Sequence, residues 1–346
     1  TGSNMAFTLG SILTGALNRK ANSSGDLMRR VSDDAIDGAR GNSGAILAQF
    51  FTGISEQLGS NTVASLEQMS LAIKNGAHTA RQALSHPVEG TIVTVISAFA
   101  DALHLNHEKV HFQQWFEVAL SNAKKALANT PNQLAVLQKA GVVDAGGQGF
   151  VDMLEGVFQF IKEGRIDLND EVENCNADLE VANAHLELAD CDFEHRWCTE
   201  CLILGEGLNR NGLQTAINNL GASCVVVAGS TSRIRLHAHV ANPTQLFETA
   251  GKFGRVESTK ADDMQAQART AAGTKSVVVI TDSAADLPES LIEELNIHSV
   301  PLRLSFGEKD YLDKVGLSTH DFYHKLRTEI VLPKTSQPSP GDFRRQ

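Results

Sequence analysis

The stretch Gly38-Ala39-Arg40-Gly41-Asn42-Ser43-Gly44 is followed directly by the apolar segment Ala45–Phe51. The apolar segment predicts a helix, and the glycines around Ser43 predict a tight turn in front of it. Such a turn can bring backbone N–H groups and the Ser43 hydroxyl onto a phosphate at the helix N-terminus. Alternatively, the glycines only let two helices turn and pack closely.

Two further glycine-bearing motifs lie in the same part of the chain. They are Glu89-Gly90-Thr91-Ile92-Val93-Thr94-Val95 and Gly141-Val142-Val143-Asp144-Ala145-Gly146-Gly147-Gln148-Gly149. Around them, apolar residues recur at helical spacing in Ser65–Ser85, Phe112–Leu127, Asn132–Ala140 and Gly149–Ile161. β-Branched runs are scarce here, so residues 1–165 are predicted to form an all-helical domain.

The character of the sequence changes after this helical region. Residues 166–192 are rich in Asp, Glu and Asn and predict an acidic linker. Aliphatic runs then predict strands, and the segments between them predict helices. The strands are Cys201–Leu204, Cys224–Ala228 and Ile234–Val240, and the helices are Gly207–Leu220 and Pro243–Phe253. Residues 193–270 are therefore predicted to form a small α+β middle domain, and a second linker is predicted over Ala261–Lys275.

Residues 276–346 predict the opening of an α/β domain. A buried-strand pattern, Ser276–Ile280, ends in the polar turn Thr281-Asp282-Ser283, and a helix is predicted to start near Leu287. Asp282 and Ser283 could simply cap that helix. The predicted fold class is thus multidomain: a helical domain, a small α+β domain and the start of an α/β domain.

The composition of the 346-residue chain limits the classes of function. Its 30 Lys and Arg against 41 Asp and Glu give a formal net charge of −11. The sequence has no basic cluster, which argues against nucleic-acid binding. No apolar run is long enough for a transmembrane helix, and the first residues lack the pattern of a signal peptide. Five cysteines, an odd and small number for this length, fit a reducing cytoplasm.

A possible metal set lies in the middle domain. His237 and His239 are separated by one residue on a predicted strand, so both imidazoles should lie on one face. Cys198 begins another predicted strand. One thiolate and two imidazoles could bind zinc and leave a fourth position for water or a partner.

The three glycine-bearing motifs and Thr1-Gly2-Ser3-Asn4-Met5 together resemble the DhaL (DAK2) domain, the ATP-binding subunit of dihydroxyacetone kinase. The closest resemblance is to the fatty acid kinase A-type branch. It implies a barrel of helices that binds ATP at one end, with Mg²⁺ bridging the phosphates. The residues it implies for nucleotide binding are Thr1, Gly2, Asn4, Met5, Asn42, Ser43, Gly44, Thr91, Gly146 and Gly147. Asp144 could line the same pocket or act as a helix cap.

The sequence departs from this family pattern at its start. In the family an Asp-x-Asp element precedes the Thr-Gly-x-Asn-Met motif and holds the magnesium, whereas this sequence begins at Thr1. Because Mg²⁺ needs hard oxygen ligands at octahedral positions, we expect the chain as it stands to be an inactive fragment. Asp33, Asp34 and Asp37 could substitute, although a solvated helix face is the simpler interpretation.

The middle domain carries a resemblance of its own. Trp197-Cys198-Thr199-Glu200 and His237-Ala238-His239-Val240-Ala241-Asn242-Pro243 resemble the middle domain of fatty acid kinase A proteins. The resemblance implies that Cys198, His237 and His239 bind Zn²⁺. Cys201 stands at redox-pair spacing from Cys198 but has no counterpart in that pattern, so it is interpreted as a buried thiol.

The C-terminal segment resembles the opening quarter of a DegV domain, the fatty-acid-binding partner of such kinases. The resemblance rests on Thr281-Asp282-Ser283 and Thr335-Ser336-Gln337-Pro338-Ser339. A fatty-acid carboxylate needs hydroxyl or N–H donors at the mouth of an apolar tunnel, and Thr335, Ser336 and Ser283 are the candidates. We expect so short a part of the domain to hold lipid weakly or not at all.

These resemblances imply a kinase–carrier fusion that transfers the γ-phosphoryl group of ATP to the carboxylate of a fatty acid. The implied partners are ATP, a fatty acid, a second copy of the chain and a downstream enzyme that uses acyl phosphate for phospholipid synthesis. A dihydroxyacetone (glycerone) kinase is one alternative, although its acceptor is usually held by a separate protein with a reactive histidine. A non-catalytic lipid- or nucleotide-binding regulatory protein is the other.

Overall fold

A computed structural model describes residues 2–105, 111–164, 195–265, 279–288, 291–292, 295, 297–307 and 309–344. These residues form two compact units. The first comprises the described residues of Thr1–Ala182 together with Val226–Arg235, and the second those of Asn183–Val225 and Leu236–Gln346. The acidic linker predicted over 166–192 lies outside the described residues.

Helices make up most of the first unit. They are α1 (Gly2–Asn18), α2 (Ser24–Gly38), α3 (Gly41–Leu58), α4 (Leu66–Gln82), α5 (Ile92–Leu105), α6 (Phe112–Gln133), α7 (Ala135–Ala140) and α8 (Ala145–Glu163). Helices α1 to α6 each pack against the next, and α8 packs against both α6 and α1, which closes the set into a ring. The predicted all-helical fold of this region is confirmed.

Aromatic side chains form the centre of this helical unit. Phe150 meets Phe50 and Phe99 edge to face, with ring centroids 5.5 and 6.0 Å apart, and all three side chains are buried. The Trp115 indole N–H is also satisfied inside the core, where it donates to the carbonyl of Leu103 at 2.8 Å. Buried edge-to-face aromatic contacts of this kind set the separation of the helices that carry them.

The first residues of two helices can be compared with the sequence. Ser65 begins α4 with a capping box, because its hydroxyl accepts from Gln68 N and the Gln68 side chain accepts from Ser65 N. Helix α3 begins at Gly41, four residues before the predicted start at Ala45, so the predicted turn is wrong at this point. Gly41 has φ = +57°, a backbone conformation that favours glycine.

The segment Val226–Arg235 belongs to the first unit, although it lies far from the helices in sequence. Its backbone is tied to them by two hydrogen bonds: Val227 N donates to Ala83 O at 3.0 Å, and Gly229 N donates to Gln49 Oε1 at 2.7 Å. Gln49 is fully buried in α3. The helical unit is thus extended by a piece of the predicted α+β region.

The middle region forms a four-stranded sheet. Its strands are β1 (Trp197–Leu204), β2 (Ser223–Gly229), β3 (Arg233–Val240) and β4 (Arg255–Asp263), in the order β2-β3-β1-β4. Two helices, α9 (Arg210–Asn218) and α10 (Pro243–Gly251), connect them. The predicted α+β class is confirmed, but the sequence missed β4, whose end at Asp263 lies where a linker was predicted from Ala261.

The C-terminal region contains short strands. They are β5 (Val279–Asp282), β6 (Ile297–Val300), β7 (Arg303–Phe306), β8 (Lys309–Leu312) and β9 (Lys334–Ser336). Helix α11 (Thr319–Thr328) lies between β8 and β9, and α12 (Pro340–Arg344) follows β9. Strands β5 and β6 pair in parallel, and the other three form a sheet in the order β8-β7-β9. A 3₁₀ turn at Ser283–Ala285 follows β5 directly. The sequence predicted a helix that starts slightly later, near Leu287. Within the described residues, we find no helix with both the length and the apolar character needed to cross a membrane.

Candidate functional site

The N-terminal parts of four helices meet at one end of the first unit. A β-carbon on Gly41, at the start of α3, would collide with the side-chain amide of Asn4 in α1. A β-carbon on Gly146, in the first turn of α8, would lie 3.1 Å from Ser43 Oγ and 3.2 Å from the β-carbon of Ile92, the first residue of α5. Glycine at these two positions therefore lets the helix starts approach each other closely.

The first turn of α3 carries several polar groups. Arg40 occupies the N-cap position, but its side chain makes no capping hydrogen bond. Asn42 Oδ1 is buried and has no hydrogen-bond partner. Because α3 starts at Gly41, Ser43 is its third residue, so the hydroxyl lies within the helix turn itself. The N–H groups of this turn and the Ser43 hydroxyl are suited to bind an anion, whereas Asn42 Oδ1 is an acceptor and would need a donor or a cation.

Asp144 ties the starts of α5 and α8 together. Its Oδ2 accepts a hydrogen bond of 2.6 Å from Gly147 N, and its carboxylate also accepts from the backbone N–H groups of Ile92 and Gly146. Burial raises the pKa of Asp144, against the effect of these three donors. The side chain caps α8, as one of the two sequence interpretations proposed, and it also holds the neighbouring helix.

Thr91 lies directly before α5. Its carbonyl accepts from Thr94 N at 2.9 Å, and its hydroxyl donates to the carbonyl of Val88 at 2.8 Å. Ile92, the next residue, is close to Gly146. Thr91 is therefore near the helix starts that carry Asn4, Ser43 and Gly146. Gly2 is exposed at the start of α1, and Thr1 lies outside the described residues.

Other residues implied for nucleotide binding serve the packing of the unit. Met5 is 2% exposed, and a β-carbon on Gly149 would lie 2.9 Å from its sulfur, so Met5 packs against α8 in the core. A β-carbon on Gly147 would lie 2.9 Å from Val95 Cγ2, which gives this glycine a packing role between α8 and α5. Gly44 is also buried. The direct nucleotide contacts of these residues stay predictions.

Magnesium ligands are not provided by the described part of this end. Two carboxylates lie at the helix starts: three backbone donors occupy Asp144, and Glu89 accepts from Thr94 and forms an ion pair with Arg81. Asp33, Asp34 and Asp37 lie on α2. Asp34 forms an ion pair with Arg19, and Asp37 forms one with Arg233. Among the described residues, the three-residue group with metal-binding geometry lies in the second unit instead.

That group is formed by Cys198, His237 and His239. One potential ligand atom from each residue lies within 4.8 Å of the other two. Cys198 is near the start of β1, and the two histidines lie two residues apart on the neighbouring strand β3, so they share a face of the sheet. The predicted set of one thiol and two imidazoles is therefore brought together, and its donors fit zinc.

Two charged residues, Glu200 and Lys260, lie next to this group of possible metal ligands. Glu200 Oε1 lies 3.1 Å from His237 Nδ1, and Lys260 stands opposite Glu200 on the paired strand β4. Lys260 also forms an ion pair with Asp262. Burial alone would lower the pKa of Lys260, but Asp262, Glu200 and Cys198 raise it above its usual value. The ammonium group thus offsets negative charge beside the cysteine.

The protonation state of His239 and the unpartnered nitrogen of His237 also suit a metal. Burial, together with the neighbouring imidazoles of His237 and His195, lowers the pKa of His239 to about 4, and Glu200 opposes this shift only in part. His239 is therefore neutral near pH 7 and has a lone pair to offer. The Nε2 atom of His237 is buried and has no hydrogen-bond partner. An unsatisfied buried nitrogen of this kind is explained by a ligand at that position.

Two further described cysteines, Cys201 and Cys224, are not members of this metal-binding group. Cys201 is fully buried and reduced, as expected, and it forms no disulfide with Cys198. Cys224 is exposed and also reduced. Cys175 and Cys191 lie outside the described residues.

The residues implied for lipid binding differ in their exposure, and their contact with a lipid stays a prediction. The hydroxyl of Ser283, which is 4% exposed, donates to Asp313 Oδ2 at 2.6 Å and accepts from Leu302 N at 3.0 Å. Thr335 and Ser336 are exposed on β9, in the sheet that does not contain β5. The buried serine therefore stabilises the local turn, while the other two hydroxyls remain accessible.

Three family models match the chain. A model described as the DAK2 domain matches residues 1–159, and one described as the middle domain of proteins like the A component of fatty acid kinase matches residues 194–271. A third, described as an uncharacterised protein of the DegV family, matches residues 276–346. The chain combines a DAK2 domain, a fatty acid kinase A-like middle domain and a DegV-family segment. The resemblances inferred from the motifs are confirmed.

Staphylococcal proteins are among the curated relatives of this chain. Uncharacterized proteins of Staphylococcus haemolyticus and Staphylococcus saprophyticus are each 30% identical to this chain over 275 residues. An uncharacterized protein of Staphylococcus aureus is 28% identical over 280 residues. Each match covers 78% of this chain and 50% of the relative. The chain thus spans about half the length of the curated relatives it matches.

Proposed function

We propose that the protein is a phosphotransferase that binds ATP at the helix starts of its DAK2 domain and phosphorylates the carboxylate of a fatty acid. The observation that carries this proposal is the meeting of the starts of α1, α3, α5 and α8, where Ser43 Oγ faces Gly146. The buried, unpartnered Asn42 Oδ1 in the same place is an acceptor, so it favours a donor group or a cation beside the phosphates and not a phosphate oxygen itself. The DegV-family segment in the same chain favours a fatty acid as the acceptor.

The helix starts would bind the phosphates of ATP. The N–H groups in the first turn of α3 point toward the phosphate oxygens, and Ser43 donates its hydroxyl proton to one of them. The β,γ-bridging oxygen leaves with its electron pair when a carboxylate oxygen attacks the γ-phosphorus, which yields ADP and an acyl phosphate. Because the described residues provide no set of magnesium ligands, we assign no step to Mg²⁺.

In the DegV-family segment, Thr335 and Ser336 are the candidate donors to the fatty-acid carboxylate, because both are exposed. Ser283 would first have to exchange its hydrogen bond to Asp313 for one to the lipid. The remainder of the lipid site, together with the proposed homodimer and a downstream enzyme that consumes acyl phosphate, belongs to the whole protein.

A dihydroxyacetone kinase would have the same nucleotide site and differ in the acceptor.

In the middle domain, Cys198, His237 and His239 would hold a zinc ion. Bound zinc would supply a crosslink between β1 and β3, and it would leave one position for water or a partner side chain. Glu200 would hold the His237 ring in place through Nδ1. In this proposal the zinc site has a structural role and does not take part in phosphoryl transfer.

Calorimetry tests the nucleotide site first. ATP is titrated with and without Mg²⁺ into the chain and into a form extended upstream of Thr1, and each titration is repeated with Ser43→Ala and Ser55→Ala. Both serines lie in α3, but only Ser43 lies near Gly146. We expect Ser43→Ala to weaken ATP binding about tenfold and Ser55→Ala to leave it unchanged. If neither form binds ATP, the nucleotide assignment is wrong and a binding protein is favoured.

A trapping assay tests the acceptor. The gene-encoded full-length protein is incubated with ATP, Mg²⁺ and a long-chain fatty acid in hydroxylamine, which converts an acyl phosphate to a hydroxamate. Hydroxamate formed in step with ADP supports the proposal. Phosphorylation of dihydroxyacetone in place of the fatty acid would support the glycerone kinase alternative instead.

A further inference from the structure

Arg235 is a buried arginine in the segment of β3 that belongs to the first unit. Its side chain is 2% exposed, and its charge must be matched by polar partners inside the protein. Its Nε atom donates to the carbonyl of Ile36 at 3.2 Å, and its Nη2 atom donates to the carbonyl of Asp37 at 2.6 Å. A guanidinium group that donates to two backbone carbonyls fixes the backbone as well as its own position.

The two carbonyls belong to the last turn of α2. Carbonyls at a helix C-terminus lack the usual intrahelical donors and carry the negative end of the helix dipole, so a cation is favoured there. The Ile36 carbonyl also accepts from Ala39 N at 3.4 Å, and Arg235 is its second donor. Helix α2 ends at Gly38, and α3 starts at Gly41. Only Ala39, which is fully buried, and Arg40 lie between them. A shift of the α2 end would therefore move the first turn of α3 directly.

We propose that Arg235 is a positioning residue for the nucleotide site. By holding the end of α2, it fixes the corner from Asp37 to Gly41 and thus the place of Asn42 and Ser43. The inference rests on the proposed function, because it concerns the site assigned there to phosphate. It also goes beyond the matched domain: Arg235 lies within residues 194–271, outside the residues matched by the DAK2 model.

Arg233 on the same strand provides a matched control. Its Nη1 atom lies 2.6 Å from Asp37 Oδ2 and its Nε atom lies 3.8 Å from Asp33 Oδ1, so it forms ion pairs with two side chains of α2. Its side chain is 30% exposed and that of Asp37 is 44% exposed. An exposed ion pair contributes little, because both charges are solvated and the side chains are free to move. Removal of Arg233 should thus leave the α2–α3 corner in place.

The test compares the full chain with its variants Arg235→Met, Arg235→Lys and Arg233→Gln. Hydrogen exchange of the amides of residues 39–44 reports the order of the corner, and calorimetry reports ATP affinity. We expect Arg235→Met to speed exchange at the corner and to weaken ATP binding about tenfold. Lysine reaches one carbonyl and keeps the charge, so Arg235→Lys should restore part of both. Arg233→Gln should change neither.

A purely structural role for Arg235 would give a different pattern. Exchange would then rise throughout α2 to α8, and the melting temperature would fall without a specific loss at residues 39–44. That pattern, or an unchanged corner and unchanged ATP affinity in both Arg235 variants, overturns the proposal. If the unmutated chain does not bind ATP, the proposed function fails, and with it the nucleotide part of this inference. The exchange data still decide whether Arg235 anchors the corner.

Discussion

The Nδ1 atom of His237 lies 3.1 Å from Oε1 of Glu200, and the two side chains are only 4% and 3% exposed. This contact leaves Nε2, which is buried and unpartnered, as the ring nitrogen available to a metal beside Cys198 and His239. A carboxylate that accepts from Nδ1–H keeps the proton on that nitrogen and the lone pair on Nε2. Glu200 thus selects the form of His237 that can bind zinc.

Glu200→Gln should therefore weaken zinc binding about 10–100-fold. The glutamine has nearly the same size, but its amide can donate to Nδ1 and so favour the wrong tautomer of His237. Zinc affinity is measured by competition with a chromophoric chelator. Glu257→Gln, on the neighbouring strand β4, is the matched control, because Glu257 is partly exposed and pairs with Arg255. Equal zinc affinity in the Glu200 variant and the unmutated chain would contradict the positioning role.

Asp144 offers a test of charge against hydrogen bonding. Its pKa is raised by burial, so its ionised form is less favourable in the folded than in the unfolded chain. The stability it contributes is present below its ordinary pKa of 3.8 and is lost as the pH rises through the raised value. Asp144→Asn removes the charge and keeps an acceptor for Gly147 N. At pH 7 this variant should be at least as stable as the unmutated chain.

A substitution that removes the hydrogen-bond acceptor of Asp144 as well as its charge should destabilise the protein. Asp144→Ala loses the cap of α8 and should lower the free energy of unfolding by about 1 kcal/mol. Both Asp144 variants are compared with the unmutated chain by urea denaturation between pH 3 and pH 7. The advantage of the Asn variant should shrink as the pH falls toward 3.8. If Asn and Ala destabilise equally at pH 7, the hydrogen bonds depend on the charge and this account is wrong.

The hydroxyl residues of the DegV-family segment should separate stability from binding. Ser283→Ala removes a buried hydroxyl that donates to Asp313 and accepts from Leu302 N, and should cost about 1–3 kcal/mol of stability. Thr335→Ala removes an exposed hydroxyl and should leave the melting temperature unchanged. Fatty-acid binding by the full-length protein should fall with Thr335→Ala. A large loss of stability with Thr335→Ala would show that its hydroxyl is structural.

Local sequence patterns predicted most of the helices, because their apolar residues recur at helical spacing. They were less successful where tertiary contacts decide. Gly41 lowers helix propensity, yet α3 begins there because the close approach of Asn4 excludes any larger residue. Strand β4 was missed because Arg255–Asp263 is rich in charged residues, and only pairing with β1 shows it to be a strand.

The same limit applies to the candidate sites. The alternation of β3 placed His237 and His239 on one face, and the structure brings Cys198 beside them as predicted. Glu200 follows Cys198 by two residues on β1, so strand alternation could have indicated it. The hydrogen bonds of Arg235 to α2 connect residues almost 200 positions apart. No local pattern reports such a contact, because it depends on how the segment packs.

Two of the glycines of α8, Gly146 and Gly156, provide the sharpest test of the phosphate site. A β-carbon on Gly146 would lie 3.1 Å from Ser43 Oγ and 3.2 Å from the Ile92 β-carbon, which is closer than ordinary contact. Gly146→Ala should therefore force α3 and α8 apart and weaken ATP binding about tenfold or more. Its gain in helix propensity, about 1 kcal/mol, should offset most of the loss in stability. ATP affinity by calorimetry and stability by urea denaturation measure the two effects separately.

Gly156 is the matched control for this substitution. It lies in the same helix, is exposed and has open space where a β-carbon would be placed. Gly156→Ala should stabilise the chain by about 0.5–1 kcal/mol and leave ATP affinity unchanged, because it gains helix propensity far from Ser43. The pair thus distinguishes crowding at the helix starts from a general effect on α8. If Gly146→Ala binds ATP as tightly as Gly156→Ala, ATP binding does not depend on the close approach of α8 to Ser43, and the proposed phosphate site at these helix starts is wrong.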